Sequence, residues 1–325
     1  MSTKPRIIVP QAIYHIFAEG AEEVQIFGKD LLKKFFIEQL TRISKKYQLS
    51  CYAFSLTGNQ YDLLLKSSEQ SISIAMQTFN SVIAKKFNKT EKRHGTVFAS
   101  RFNSLVIEQT KLKEVVRFIH LQPVVNGECS LEELDYYKWS GHYFLLGNKP
   151  YEFQNTQIVL DLFDISDPVK KYKDYICIDK LNSDSEKIVK HLKDANNGKL
   201  SFHEPEAWVL GEPQFIKHIL ELDRCRRARI ARHVSENVTM EQIVEEVTRS
   251  LCLPAKDIFH QGLFDVKSTA RELFAYIGKK RFDFSGAQMA LHLRVSESAV
   301  SRMISRFDNI DCKDFFIRLA TEEFT

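Results

Sequence analysis

Residues 51–66 read CYAFSLTGNQYDLLLK. Two short runs rich in aromatic and aliphatic residues, 51–56 and 61–66, flank Thr57-Gly58-Asn59, residue types that favour a turn. Each run has the length of a strand, so the stretch predicts a pair of strands joined by that turn. Working outward, residues 12–18 (AIYHIFA) predict another strand. Leu32, Phe35, Phe36, Leu40 and Ile43 recur near the helical period, as do Ile74, Met76, Phe79, Val82, Ile83 and Phe87. Helices are therefore expected over 31–47 and 72–87. A third is expected over 111–121, ending near Pro123. Strands interleaved with helices make the first 147 residues a mixed α/β segment.

The remainder of the chain reads as helical. Residues 149–237 are more polar, punctuated by Asn182-Ser183-Asp184-Ser185 and Asn196-Asn197-Gly198. Beyond them Met240, Ile243, Val244 and Val247 form one apolar stripe, closely followed by Pro254. Three parts are expected: 1–147, a helical connecting region over 148–237, and a helical domain over 238–325. The 325 residues are 44% hydrophobic and 27% charged, enough apolar material for buried cores. The net charge of +4 is only a mild lean toward polyanions. Cys51, Cys129, Cys177, Cys225, Cys252 and Cys312 lack the short spacing of a zinc knuckle or redox pair, so reduced thiols are expected. No stretch resembles a signal peptide or reaches membrane-spanning length. A cytoplasmic protein with no membrane partner is expected.

The most specific local pattern is a helix-turn-helix over 285–307. Ser285 can cap a helix whose inner face carries Met289, Ala290 and Leu293. Val295 falls in the turn, and Ser296 can cap a second helix, with Glu297 near its positive end. Val300, Met303, Ile304 and Phe307 give that helix one apolar face. Its outer face offers Ser298, Ser301, Arg302, Ser305 and Arg306, suited to base edges and phosphates. Arg294 occupies a turn position usually held by Gly, where a left-handed conformation strains a side-chain-bearing residue. Lys279, Lys280 and Arg281 just upstream would add phosphate contacts. The competing reading is a plain helical hairpin that binds nothing.

Two segments, TMEQIVEEVTRSLCLPAKDIF (239–259) and STARELFAYIGKKRFDFSGAQMALHLRVSESAVSRMISRF (268–307), resemble the DNA-binding domain of the bacterial replication initiator. That resemblance implies a helical bundle reading duplex DNA through its last helix pair. The first 145 residues resemble the REP-associated tyrosine transposases, single-tyrosine HUH enzymes of the IS200-like kind. The likeness runs through Tyr14-His15-Ile16, Ile26-Phe27, YAFSLTGNQYDLLL (52–65), IAKKFNKTEKRHGTVFASRFNSLVI (83–107), FIHLQPVV (118–125) and Trp139-Ser140. Weaker likeness to longer members continues at 159–175 and 208–219. It implies an α+β fold, a ferredoxin-like antiparallel sheet with helices on one face. It also implies cleavage of single-stranded DNA by a tyrosine that joins the 5′-phosphate. Because a phenol is a weak nucleophile, such enzymes use Mg²⁺ or Mn²⁺ held by two strand histidines and a polar residue one helical turn after the tyrosine.

This chain departs from that pattern at each centre. The strand positions are Gln60 and Asp62, the nucleophile position is Phe118, and Gln122 stands one turn later. Glu19-Gly20 replaces the family's usual Arg-Gly. No catalytic residue and no cofactor are therefore expected. Gln60, Asp62 and Gln122 could offer oxygens to a hard cation, or form a hydrogen-bonded polar cluster where a metal once sat. His15 and His120 are read as core histidines before replacement bases.

Lys85, Lys86, Lys89, Lys92, Arg93, His94 and Arg101 cluster around a helix end, interleaved with Phe87, Phe98 and Phe102. Cations for the backbone and aromatics for stacking suit hairpin or single-stranded DNA, against a plain solvated face over core phenylalanines. A second basic run is Arg224, Arg226, Arg227, Arg229, Arg232 and His233. The leading expectation is a regulatory or architectural DNA binder of transposase ancestry with degenerate chemistry. The alternatives are an active transposase or nickase with a non-standard nucleophile or metal site, and a homodimerising scaffold whose helix-turn-helix alone reads duplex DNA.

Overall fold

The computed structural model describes residues 6–308 except 23, 69–71, 164–165, 236–237, 260–265 and 283; the side chains of 229–235 also lie outside the description. Arg229, Arg232, His233 and Cys312 are thus outside it, while the five described cysteines are free. The chain divides into two compact units, Met1–Asp223 and Arg224–Thr325. Residues 148–223, expected as part of a connecting region, instead belong to the first unit. No described helix is long and apolar enough to cross a membrane.

The first unit runs β1 (Ile13–Glu19), α1 (Asp30–Tyr47), β2 (Ser50–Leu56), β3 (Gln60–Lys66), α2 (Ile72–Thr90), β4 (Asn103–Ile107). The βαββαβ order and the sheet order β2-β3-β1-β4 give the antiparallel ferredoxin-like arrangement, as expected. Alternation along the strands divides the side chains between two faces. Tyr14, Ile16, Tyr61, Leu63 and Leu65 join α1 and α2 in one core, where Phe36 packs edge-on to Phe79 with centroids 4.8 Å apart. Ile74 is exposed, contrary to the expected stripe. Gly20 leaves β1 where an added Cβ would lie 2.5 Å from the Val24 carbonyl oxygen, so only glycine fits that close approach.

Helices cover both faces of the sheet, not one. The second face carries His15, Phe17, Asp62, Leu64 and Leu105 and meets α3 (Leu112–His120). The chain continues through the short α4 (Gln122–Val125), α5 (Gly141–Leu145) and α6 (Thr156–Leu160) to α7 (Pro168–Ile176) and α8 (Ser183–Asn196). Tyr172, Ile176, Leu192 and Ala195 from the last two are fully buried or nearly so in this second core. Side chains tie the layer together: Ser185 donates to Glu114 Oε1 at 2.9 Å, and Arg117 Nε donates to the Tyr175 carbonyl at 3.1 Å. The sheet is not purely antiparallel, because β5 (Val209–Leu210) adds parallel to β4 at its edge. Helix α9 (Pro213–Ser235) crosses the division between the units.

The second unit contains α10 (Met240–Ser250), α11 (Val266–Lys280), α12 (Gly286–Leu293) and α13 (Glu297–Asp308). Ile243, Val247, Leu273, Phe274, Met289, Val300 and Phe307 build one core. Thr239 and Ser285 each close a capping box with a glutamine three residues on, Gln242 and Gln288. Between α12 and α13, Arg294 adopts the left-handed conformation at φ 57°, as its turn position requires.

Candidate functional site

The structure brings the four transposase-like positions together on the second face of the sheet. Gln60 and Asp62 stand two residues apart on β3 and so share that face. Gln60 Nε2 donates to Asp62 Oδ2 at 2.7 Å. His15 Nε2, from β1, lies 2.8 Å from Asp62 Oδ1. Asn196, the last residue of α8, donates its amide to that same oxygen at 3.1 Å. The Phe118 ring, on α3, packs edge-on against His15 at 5.8 Å between centroids. Gln122 Nε2 donates back to the Phe118 carbonyl at 3.1 Å.

These contacts decide what the site can hold. Asp62 is 1% exposed and each of its oxygens has a protein partner. A divalent cation would have to displace His15, Gln60 or Asn196 from a buried carboxylate and would gain neutral amides in return, a poor exchange for hard-cation chemistry. Among the described residues no group of three or more His, Cys, Asp or Glu is arranged to hold a metal. The donor set does not fit Mg²⁺ or Mn²⁺. Phe118 is buried and offers only hydrocarbon.

His120 belongs to a different network that the sequence alone did not reveal. Its Nδ1 lies 2.9 Å from the Tyr172 hydroxyl, and His142 Nδ1 lies 2.7 Å from the same oxygen. His142 Nε2 in turn lies 3.0 Å from Asp135 Oδ1, while Lys173 pairs with Oδ2. Proton positions follow from these partners. The carboxylate only accepts, so His142 Nε2 carries hydrogen and, in the neutral ring, Nδ1 accepts from Tyr172. Tyr172 has then used its one hydrogen, so His120 donates from Nδ1. Burial pushes the His120 pKa well below its ordinary value, helped by the nearby His142. Burial also lowers that of His142, although Asp135 opposes the shift. Burial acts to raise the Asp135 pKa, but hydrogen bonds from Lys173 and His142 outweigh it and hold the carboxyl below its usual range. His120 is inaccessible to solvent. Both family-like histidines therefore serve the interior.

Residues 8–122 match the family model described as "Transposase IS200 like". This stretch is similar to that family. The match spans about a third of the chain and ends at Gln122. Among solved structures, one described as "Structure of the REP associates tyrosine transposase bound to a REP hairpin" is similar at 13% identity, covering 47% of this chain and 90% of that one, with a TM-score of 0.38. No curated protein matches.

The basic cluster of the transposase-like unit keeps its cations but not its aromatics. Lys85, Lys89, Lys92, His94 and Arg101 are exposed, and Lys86 and Arg93 partly so. Phe87, Phe98 and Phe102 are all buried in the first core, which removes them from base stacking. Arg93 instead lies over the Phe87 ring at 5.7 Å. In the second unit Ser296 caps α13, its hydroxyl accepting from Ala299 N at 3.2 Å and lying 2.9 Å from that of Ser298. Ser298, Ser301, Arg302, Ser305 and Arg306 are exposed. Lys279, Lys280 and Arg281 gather at the C-terminal end of α11, with Lys280 over the Tyr276 ring at 5.9 Å. Arg224 is exposed and Arg226 and Arg227 are half-buried on α9.

Proposed function

We propose that this chain is a DNA-binding protein of transposase descent that does not cut strands and that engages duplex DNA through the helix-turn-helix formed by α12 and α13. The observation that carries the loss of cleavage is the engagement of Asp62 by His15, Gln60 and Asn196 beside a buried Phe118. The family reaction needs a polarised phosphate and a hydroxyl nucleophile; this face supplies neither. Duplex binding is supported by the two capped helices, the tight turn at Arg294 and the exposed serines and arginines of α13. The exposed cations near the end of α2 suit a phosphate backbone, which makes hairpin or single-stranded DNA the second expected ligand. A regulatory or architectural role in the cytoplasm, on the nucleoid, follows from binding without cleavage.

The test incubates the full chain with hairpin-bearing single strands, with and without Mn²⁺ or Mg²⁺, and with duplexes selected from a random pool. Retention of both DNA forms with no covalent protein–DNA adduct is expected. A metal-dependent adduct would overturn the reading in favour of an active nickase with another nucleophile.

A further inference from the structure

Lys85 and Lys89 stand one turn apart on α2, and Lys92 follows just past the helix end at Thr90. All three are exposed, and none of their ammonium groups has an ion-pair or hydrogen-bond partner among the described residues. Between residues 70 and 107 six lysines and arginines accompany one acidic residue, Glu91. That carboxylate is already engaged, because Lys29 donates to both of its oxygens, at 2.7 and 2.8 Å. Asp30, beside Lys29, lies at the positive end of α1, which favours a carboxylate. The three lysines therefore present their charge to solvent. The segment that carries Lys92 is fixed by hydrogen bonds. Arg93 N donates to the Asn88 carbonyl at 3.0 Å, Asn88 Nδ2 to that of Gly95 at 3.0 Å, and Arg93 Nη2 to that of Thr96 at 3.2 Å.

What this surface lacks decides the form of nucleic acid that suits it. Unpaired strands are held by cations together with aromatic faces on which bases stack. Phe87, Phe98 and Phe102 are buried in the first core, so the lysines meet a backbone without any stacking platform. Contacts of that kind serve paired DNA and carry no sequence information. The lysines belong to the first unit and α12 and α13 to the second, so the two surfaces share no residue.

We propose that one chain holds two DNA segments at once. Helices α12 and α13 engage one duplex, while Lys85, Lys89 and Lys92 take the backbone of a second, paired segment whatever its sequence. The inference rests on the duplex-binding reading of α12 and α13 and adds bridging to it. Because both surfaces are carried by one chain, capture of the second segment requires no second protomer.

The experiment immobilises a duplex selected from a random pool, adds the full chain, and reads retention of a second, fluorescent duplex of random sequence over a series of KCl concentrations. Wild type should retain it. In Lys85→Gln/Lys89→Gln/Lys92→Gln, retention should fall roughly tenfold and its slope in log salt should become shallower by about 3, with binding of the immobilised duplex kept. The three side chains are exposed, and an unchanged urea midpoint confirms that the variant is folded. Undiminished retention in the variant overturns the lysine assignment, as when two helix-turn-helix units of a homodimer do the bridging. An unpaired strand that displaces the fluorescent duplex better than an equal length of duplex overturns the paired-DNA assignment. Wild type that binds the immobilised duplex and retains no second one overturns bridging and leaves the duplex reading intact. If no immobilised duplex is bound, the duplex reading fails and bridging fails with it.

Discussion

Asp62 on β3 and Arg302 on α13 carry opposite charges on regular elements, and their surroundings differ as much as their signs. Asp62 is sealed between a sheet and a helical layer, with three donors from β1, β3 and α8. Arg302 is exposed and lines a cleft together with Arg294 and Arg306. A buried carboxylate survives because the fold supplies its hydrogen bonds, and once supplied they leave it nothing to offer a ligand. An exposed guanidinium has the reverse character: water solvates it, and it costs little folding stability to remove. Replacing residues of the two regions should therefore move different measurements.

The largest effect is expected for Asp62→Ala, which leaves the buried His15 and the half-buried Gln60 and Asn196 without their acceptor. It should destabilise the first unit by about 3 kcal/mol, read as a fall in the urea midpoint. A stability change within 0.5 kcal/mol would mean that the inner face is less sealed than its contacts indicate. Tyr172→Phe should come next, at about 1–3 kcal/mol, since both His120 and His142 lose their shared partner. The same network sets a pH dependence. Both histidines titrate lower in the folded protein than in the unfolded chain, so the unfolded state binds more protons as pH falls from about 6.5. Their neutral forms thus contribute stability that is present above that pH and lost as it falls toward the folded pKa values. Urea titrations across this window should show stability declining with pH, and a flat profile would contradict the neutral-histidine chain.

Smaller changes are expected around α12. Ser285→Ala removes a capping box and should cost about 1 kcal/mol, with weaker duplex binding because α12 supports the turn. Arg294→Gly should have the smallest effect on folding and the opposite sign. It relieves a left-handed residue at φ 57° and should raise the stability of the second unit by about 0.5–1 kcal/mol, while removing one cation near α13. Thermal denaturation and duplex titration of the same variant would separate the two contributions.

Much of this comparison was legible in residues 51–66 and 285–307. Strand length, the Thr57-Gly58-Asn59 turn and the apolar stripes of α1 and α2 are local signals, and periodicity reports which face is buried. Capping by Ser285 and Ser296 and the strained turn at Arg294 are local too. The β4 strand was not read because its five residues give too short a pattern to stand apart from the basic loop before it. The stacking role of Phe87, Phe98 and Phe102 failed for a related reason: an aromatic beside lysines looks the same in sequence whether it faces base or core.

The sequence by itself determined three of the strands and the main helices, the transposase-like positions Gln60, Asp62, Phe118 and Gln122, and the absence of the family's reacting groups from them. Only the tertiary structure decided what those positions do now. Asn196 reaches Asp62 across 134 residues of chain, and Tyr172 joins His120 to His142 across 52 and 30. Contacts at such separations depend on how layers pack, which no local period encodes. The same holds for Arg302, which only the packing of α11 beside α13 brings into a cleft with Arg294 and Arg306.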